Sequence, residues 1–324
     1  MRRIGLAVVL ILSLTLAPLA SEAEGKVYRV GWLSPASSAT GANELEALRK
    51  GLAALGYVEG RSIAIEARWA DGDATRLPRL ARALAELKVD IICSFGTPAT
   101  LAAKKATRTI PIVFGEAAFP DRTGIVTSLA RPGGNLTGVA FIGSEYGKRL
   151  ELLRELSPKA SRVAVLYNDQ NIASVLAMTE TQQWARTLQV AIDPFGVHDR
   201  ASLDAAFDTI RRGAPDALMT TADPVLQSYR TLIVEFAAER RLPSMYGDRE
   251  YVTAGGLMFY GTSTTAMWGH AAIYVDRIFK GAKPGDLPVE HPIDFDLVIN
   301  MKTAKALRLT IPQTLILRAT QVID

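Results

Sequence analysis

The chain has 324 residues, 48% of them hydrophobic and 22% charged, with a formal net charge of +4. That is enough apolar chain for two packed domains, and the mild, scattered basic excess forms no stripe of the kind that binds nucleic acid. Cys93 is the only cysteine, which excludes an internal disulfide, and its apolar neighbours mark it as a packed thiol rather than a reactive one.

At the N-terminus, Met1-Arg2-Arg3 is a short positive segment and Ile4 to Leu19 is almost wholly apolar. Ser21-Glu22-Ala23 then sets small residues where a signal peptidase cuts. A secretory signal peptide over 1–23 is expected. The competing reading is an N-terminal membrane anchor, against which stand the shortness of the apolar run and Pro18. Cutting after Ala23 leaves 35 basic and 32 acidic residues, a net charge of +3. No cysteine adjoins the cut, so the exported chain is expected in the periplasm without a lipid anchor.

Strand and helix patterns alternate from there. "VYRVGWLS" reads as a strand, and Leu45, Leu48, Leu52 and Leu55 recur at helical spacing up to Gly56. "SIAIEARWA" alternates as a strand, "RLPRLARALAELK" is helical, and "VDIICSF" is an apolar strand. A helix opening at Thr97-Pro98 and the strand "PIVFG" follow. Thr97 is expected as N-cap and Pro98 at the first helical position, where its missing N–H costs nothing. "RPGGN" at 131–135 is a strong turn. A second series then runs through "RVAVLYN", "IASVLAMTETQQWARTLQV", "AIDPFGV", "ASLDAAFDTIRRG", "DALMTT", "VLQSYRTLIVEFAAERR" and "PSMYG". Strands separated by such helices imply βαβ units and parallel sheets. The tail, with two further strand–helix pairs, must return to sheets already built. Three crossings between two α/β domains make a hinge, with Ala140 to Ser144, Thr253 to Gly256 and Val289 to Ile293 as candidate segments.

The blocks "GLAALGYVEGRSIAIEARWADGD", "GTPATLAAKKATRTIPIVF", "GIVTSLARPGGNLTGV", "LPSMYGDREYVTAGGLMFYG" and "DLVINMKTAKALRLTIP" span nearly the whole mature chain. In that order the chain resembles the bacterial ABC-transporter substrate-binding proteins related to the exported tryptophan- and tyrosine-binding proteins. The resemblance implies an α/β fold of type I periplasmic-binding-protein architecture: two Rossmann-like lobes with parallel sheets, three inter-lobe crossovers, and ligand held between the lobes. The expected lobes are 27–141 with 256–290, and 144–254 with 293–324. Many relatives carry Asp-Pro-Val after the strand ending at Gly115. Here the sequence is "EAAFPDRTG", so that aspartate's part passes to Asp121 or Glu116, or is lost.

In open parallel sheets ligands sit beyond the carboxyl ends of the strands. Those ends supply Ser34, Ser37, Gly96, Thr97, Pro98, Ala99, Glu116 and Asp121 from the first lobe, and Tyr167, Asn168, Asp223 and Tyr246 from the second. Thr97 and the N–H groups after Pro98 suit a carboxylate; Asp223 or Glu116 suits an ammonium, and Trp32, Phe95 or Tyr167 an apolar portion. Each has a plain structural alternative: Thr97, Asn168 and Asp223 as helix caps, and Trp32 as core. His198, His270 and His291 lie far apart, with no cysteine or acid pair at metal-ligand spacing, no Gly-x-Ser-x-Gly elbow and no phosphate loop. Neither catalysis, metal nor cofactor is expected. The expected function is an extracytoplasmic, monomeric solute-binding protein. It would take an amino acid or small carboxylate and deliver it to an ABC-transporter permease in the inner membrane, with no nucleic-acid partner. The alternative is a periplasmic sensor that presents its closed state to a signalling receptor.

Overall fold

The computed structural model describes residues 26–141, 143, 145–291 and 295–324; the expected signal peptide lies outside these. The first lobe runs β1 (Tyr28–Ser34), α1 (Ala42–Ala54), β2 (Ile63–Trp69), α2 (Leu77–Glu86), β3 (Ile91–Phe95), α3 (Gly96–Ala106), β4 (Ile112–Ala118) and β5 (Leu136–Phe141). Its five strands lie in the order β2-β1-β3-β4-β5, all parallel. The reason is legible locally. Every residue of β3 is buried, as a central strand covered on both faces requires. In α2, Leu77, Leu80, Ala81 and Leu84 make one buried stripe at helical spacing.

The second lobe runs α4 (Glu145–Leu156), β6 (Arg162–Tyr167), α5 (Ile172–Thr187), β7 (Ala191–Gly196), α6 (Arg200–Gly213), β8 (Ala217–Thr220), α7 (Pro224–Ser228), α8 (Arg230–Glu239), β9 (Ser244–Tyr246), α9 (Glu250–Thr253) and β10 (Met258–Gly261). Helix α10 (Thr264–Phe279) packs back on α1 of the first lobe. β11 (Asp296–Asn300), α11 (Met301–Ala306), α12 (Gln313–Arg318) and β12 (Gln321–Ile323) complete the second. Its seven strands lie in the order β12-β11-β10-β9-β8-β6-β7, with β10 and β11 the antiparallel pair.

One boundary moves. Residues 256–261 were expected in the first lobe, yet β10 pairs with β9 and β11 in the second sheet. The second crossing therefore lies at Gly261 to Thr264 rather than Thr253 to Gly256. Phe259 and Val298, paired across β10 and β11, bury together, which fixes the strand there. The first crossing follows β5, and the third follows Glu290, which bridges back to Val139. The 131–135 turn leans on this junction, with Gly133 N–H donating to the Gly285 carbonyl (3.2 Å). Among the described residues no helix is long and apolar enough to cross a membrane.

Candidate ligand-binding site

The strand ends of both lobes face one another across a closed cleft. Two backbone features set its floor. The β4–β5 register breaks between Phe114 and Ala117, and Glu116 sits in that bulge at φ 64°, a left-handed conformation uncommon outside glycine. Gly138 on β5 makes room: a Cβ there would stand 2.0 Å from the Phe114 carbonyl oxygen. In the second lobe Gly247 lets the end of β9 approach the end of β8, since its Cβ would lie 2.4 Å from the Ala222 nitrogen. Asp248 follows directly. Strain held at Glu116 and close approach at Gly247 bring two carboxyl groups, one per lobe, to the same small cavity of about 20 Å³.

Phe95, Gly96, Thr97, Ala118 and Phe141 complete the first lobe's wall, and Tyr146, Asn171, Ala173, Asp223 and Gln227 the second's. Asp248 is 5% exposed and its Oδ2 has no hydrogen-bond partner. Glu116 is partly buried as a residue, but its Oε1 is sealed and equally unpartnered. Burial, then the like charge of Glu250, push the Asp248 carboxyl well above its usual range, while Arg149 opposes. Burial also raises Glu116, followed by Glu44, Asp248 and Glu250. The indole N–H of Trp268 opposes this without completing a hydrogen bond. Glu44, fully buried on α1, accepts from Thr264 Oγ1 (3.3 Å), and burial and Glu250 raise it to about 7. Arg149 is buried behind Asp248. Its Nε donates to the Tyr260 carbonyl (2.7 Å) and its Nη2 to that of Gly247 (3.2 Å), and its guanidinium lies 5.1 Å from the Tyr146 ring centre.

The twelve expected residues divide. Gly96, Thr97, Glu116 and Asp223 line the cavity, while Pro98, Asn168 and Asp223 line a wider groove of about 590 Å³ at the cleft mouth. Thr97 is not the N-cap. Gly96, at φ 75°, already opens α3 after Phe95, and the Thr97 hydroxyl instead accepts from Ala118 N–H (3.0 Å) and donates to Ala118 O (3.4 Å). Asp223 caps α7, accepting from Val225 N–H (2.8 Å) and Leu226 N–H (3.3 Å), and also accepts from the Asn168 (3.1 Å) and Asn171 (2.7 Å) amides.

The others stand away from the cavity. Ser34 Oγ accepts from Ala36 N–H, Ser37 is tied to Thr40, and Ala99 is core. Asp121 is exposed, because the chain turns outward after Pro120. Tyr167 packs against the second-lobe core, and Tyr246 stacks on Tyr251 at 4.6 Å. Trp32 packs against Trp268 in the first-lobe core, ring centres 4.5 Å apart and planes tilted by 57°, where Cys93 is also buried. Sequence reasoning placed the strand end Tyr246-Gly247-Asp248 at the cleft but chose Tyr246 from it, and passed over Gln227, Asn171, Tyr146, Glu44 and Arg149. Asp248 had a signal, being two residues past the end of β9. Arg149 and Glu44 sit on helices among many charged residues and had none.

Across the mouth, Arg122 of the first lobe pairs with Glu180 of α5 (2.7 Å). The histidines remain scattered: His198 meets Asp169 (2.8 Å) and His270 meets Glu290 (2.6 Å). No metal-holding group of side chains occurs among the described residues.

Comparison with known proteins places this architecture. Residues 36–323 match the family described as ABC transporter substrate binding protein. A tyrosine-binding protein of Clostridioides difficile is 28% identical over 258 residues, covering 80% of this chain and 74% of that protein. A conserved domain protein from Vibrio cholerae superposes with a TM-score of 0.87 at 26% identity, over 92% of this chain and all of that one. A Streptococcus pneumonia ABC domain in complex with L-Trp gives 0.84 at 25% identity, over 91% and 100%. The fold is that of the type I periplasmic binding proteins, and the matched family is one of substrate-binding proteins rather than enzymes. With residues 36–323 matched, nearly nine-tenths of the sequence, the protein belongs to the ABC transporter substrate-binding protein family.

Proposed function

We propose that the protein is exported to the periplasm, captures an amino acid between its lobes as a monomer, and delivers it to the permease of an ABC importer in the inner membrane. The observation that carries this reading is the pair of unpartnered carboxyl oxygens, on Glu116 and Asp248, at the inter-lobe cavity, whose volume of about 20 Å³ is water-sized and has to widen to admit an amino acid. Buried polar groups without partners are rare and costly, so a site that keeps two of them is built to receive donors, and an ammonium group supplies three. Phe95, Phe141 and Ala118 give the same cavity an apolar side. A tyrosine-binding relative and a Trp-bound neighbour support the amino-acid class. The carboxylate seat reduces to backbone N–H groups at the start of α3, because the Thr97 hydroxyl is engaged by Ala118.

Melting of the mature protein against a panel of amino acids, aromatic acids, sugars and nucleosides tests the class. A ligand at a hundredfold excess over its Kd stabilises by about 2.7 kcal/mol. The reading expects a clear upward shift with amino acids; a shift confined to sugars or nucleosides would contradict it.

A further inference from the structure

The lobes meet as like-charged surfaces. Glu44 and Glu116 come from the first, and Asp223, Asp248 and Glu250 from the second. The cation set against them is Arg149, whose Nε and Nη2 are spent on the carbonyl oxygens of Tyr260 and Gly247 and whose Nη1 is buried without a partner. Among the described residues no lysine, arginine or histidine lines the cavity. A cluster of acids alone would carry nothing, but here a second observation stands beside it. Asp248 on the cavity wall is 5% exposed, and its Oδ2 has no hydrogen-bond partner. Glu44, fully buried, keeps an unpartnered Oε2 as well.

From this arrangement we propose that the cleft takes a ligand of net positive charge: an amino acid whose side chain bears a second cationic group, ammonium or guanidinium. The inference rests on the amino-acid reading above and narrows it. A neutral zwitterion compensates one carboxylate with its ammonium and then adds a carboxylate of its own, leaving the excess of negative charge as it was. A side-chain cation leaves one positive charge to set between Glu116 and Asp248. Ligand charge also favours the closed arrangement, in which like charges on Glu44 and Glu116 of the first lobe repel those on Asp248 and Glu250 of the second. In a desolvated cleft that repulsion is far larger than in water. Protons serve in the cation's place when it is absent. Asp248 faces Glu250, Arg149, Asp223 and Glu44, and Glu116 faces Glu44, Asp248, Glu250 and the Trp268 N–H, so binding a cation releases protons from this group.

Calorimetric titration of the mature chain near neutral pH with matched pairs tests this: L-lysine against L-norleucine, and L-arginine against L-citrulline, with L-tyrosine and L-tryptophan alongside. The cationic member of at least one pair should bind tighter by roughly tenfold or more, with proton release seen as a buffer-dependent heat. Replacing Glu116→Gln and Asp248→Asn together should collapse that preference while the near-UV circular dichroism stays native. Equal or tighter binding of the neutral members overturns the charge inference and leaves the amino-acid reading intact. A preference that survives in the natively folded double variant overturns it too. No binding by any of these amino acids overturns both.

Discussion

Two aspartates in one lobe, both buried at adjacent strand ends, do different things. Asp223 after β8 accepts four hydrogen bonds: two from its own helix start and two from the amides of Asn168 and Asn171. Asp248 after β9 keeps an oxygen without a partner and has like charges around it. Residue type, burial and position at a strand's carboxyl end do not separate a structural carboxylate from a ligand-receiving one. The hydrogen-bond account does. A satisfied buried acid holds loops together, and an unsatisfied one is maintained at a cost in stability that a ligand offsets.

The largest effect should come from breaking the satisfied member. Asp223→Ala removes the cap of α7 and strands two buried amide donors, so a loss of about 3 kcal/mol or more is expected in denaturant unfolding. Asp223→Asn, which keeps an acceptor oxygen, should lose less. An unchanged midpoint in Asp223→Ala would erase the distinction drawn here.

Nearly as large is a pH effect on the unsatisfied side. An unfolded chain releases the Glu44 proton near 4.5, whereas the folded protein holds it to about 7. Between those values the folded state binds more protons, so this stability is fully present below the lower pH and is lost as pH rises through the upper. The loss is of the order of 3 kcal/mol, and the raised Glu116 and Asp248 carboxyls act in the same direction. Melting temperature followed from mildly acidic to mildly basic pH should fall, and Glu44→Gln should flatten that fall. A rise with pH would contradict the direction.

The smallest is Thr97→Ala. Its hydroxyl ties Ala118 on both backbone groups, so about 1 kcal/mol of stability should go. Ligand affinity should fall by less than stability does, as read by titration beside melting. An affinity loss at full stability would return Thr97 to the ligand.

How much of this was legible in the sequence follows from the range over which each feature is determined. Helical spacing marks α1 and α2 because burial on one face leaves a local imprint, whereas β2 alternates in sequence although its residues after Ile63 are all half-buried. β10 carries only four residues, and what assigns it to the second sheet is pairing with β9 and β11, the latter far along the chain. The start of α3 lies two residues earlier than expected because Gly96 takes a positive φ that no spacing rule reports. Glu116 was visible as an acid after an apolar strand. At the strand end 246–248 Tyr246 was preferred to Asp248, since β9 is buried on both faces and shows no alternation to say which residue faces the cleft. Glu44 acquires its importance only from Glu250 on the opposite lobe, and Arg149 from Tyr260, Gly247 and Asp248, which lie about a hundred residues further along its own lobe.

The most direct measurement is a calorimetric titration of Asp248→Asn beside the parent protein, using the amino acid that stabilises the parent most, with melting curves of both. The account predicts an affinity lower by roughly tenfold or more at an unchanged or raised melting temperature, because Asn removes a buried charge and keeps the shape. Undiminished affinity in a natively folded Asp248→Asn would place the ligand elsewhere and contradict it.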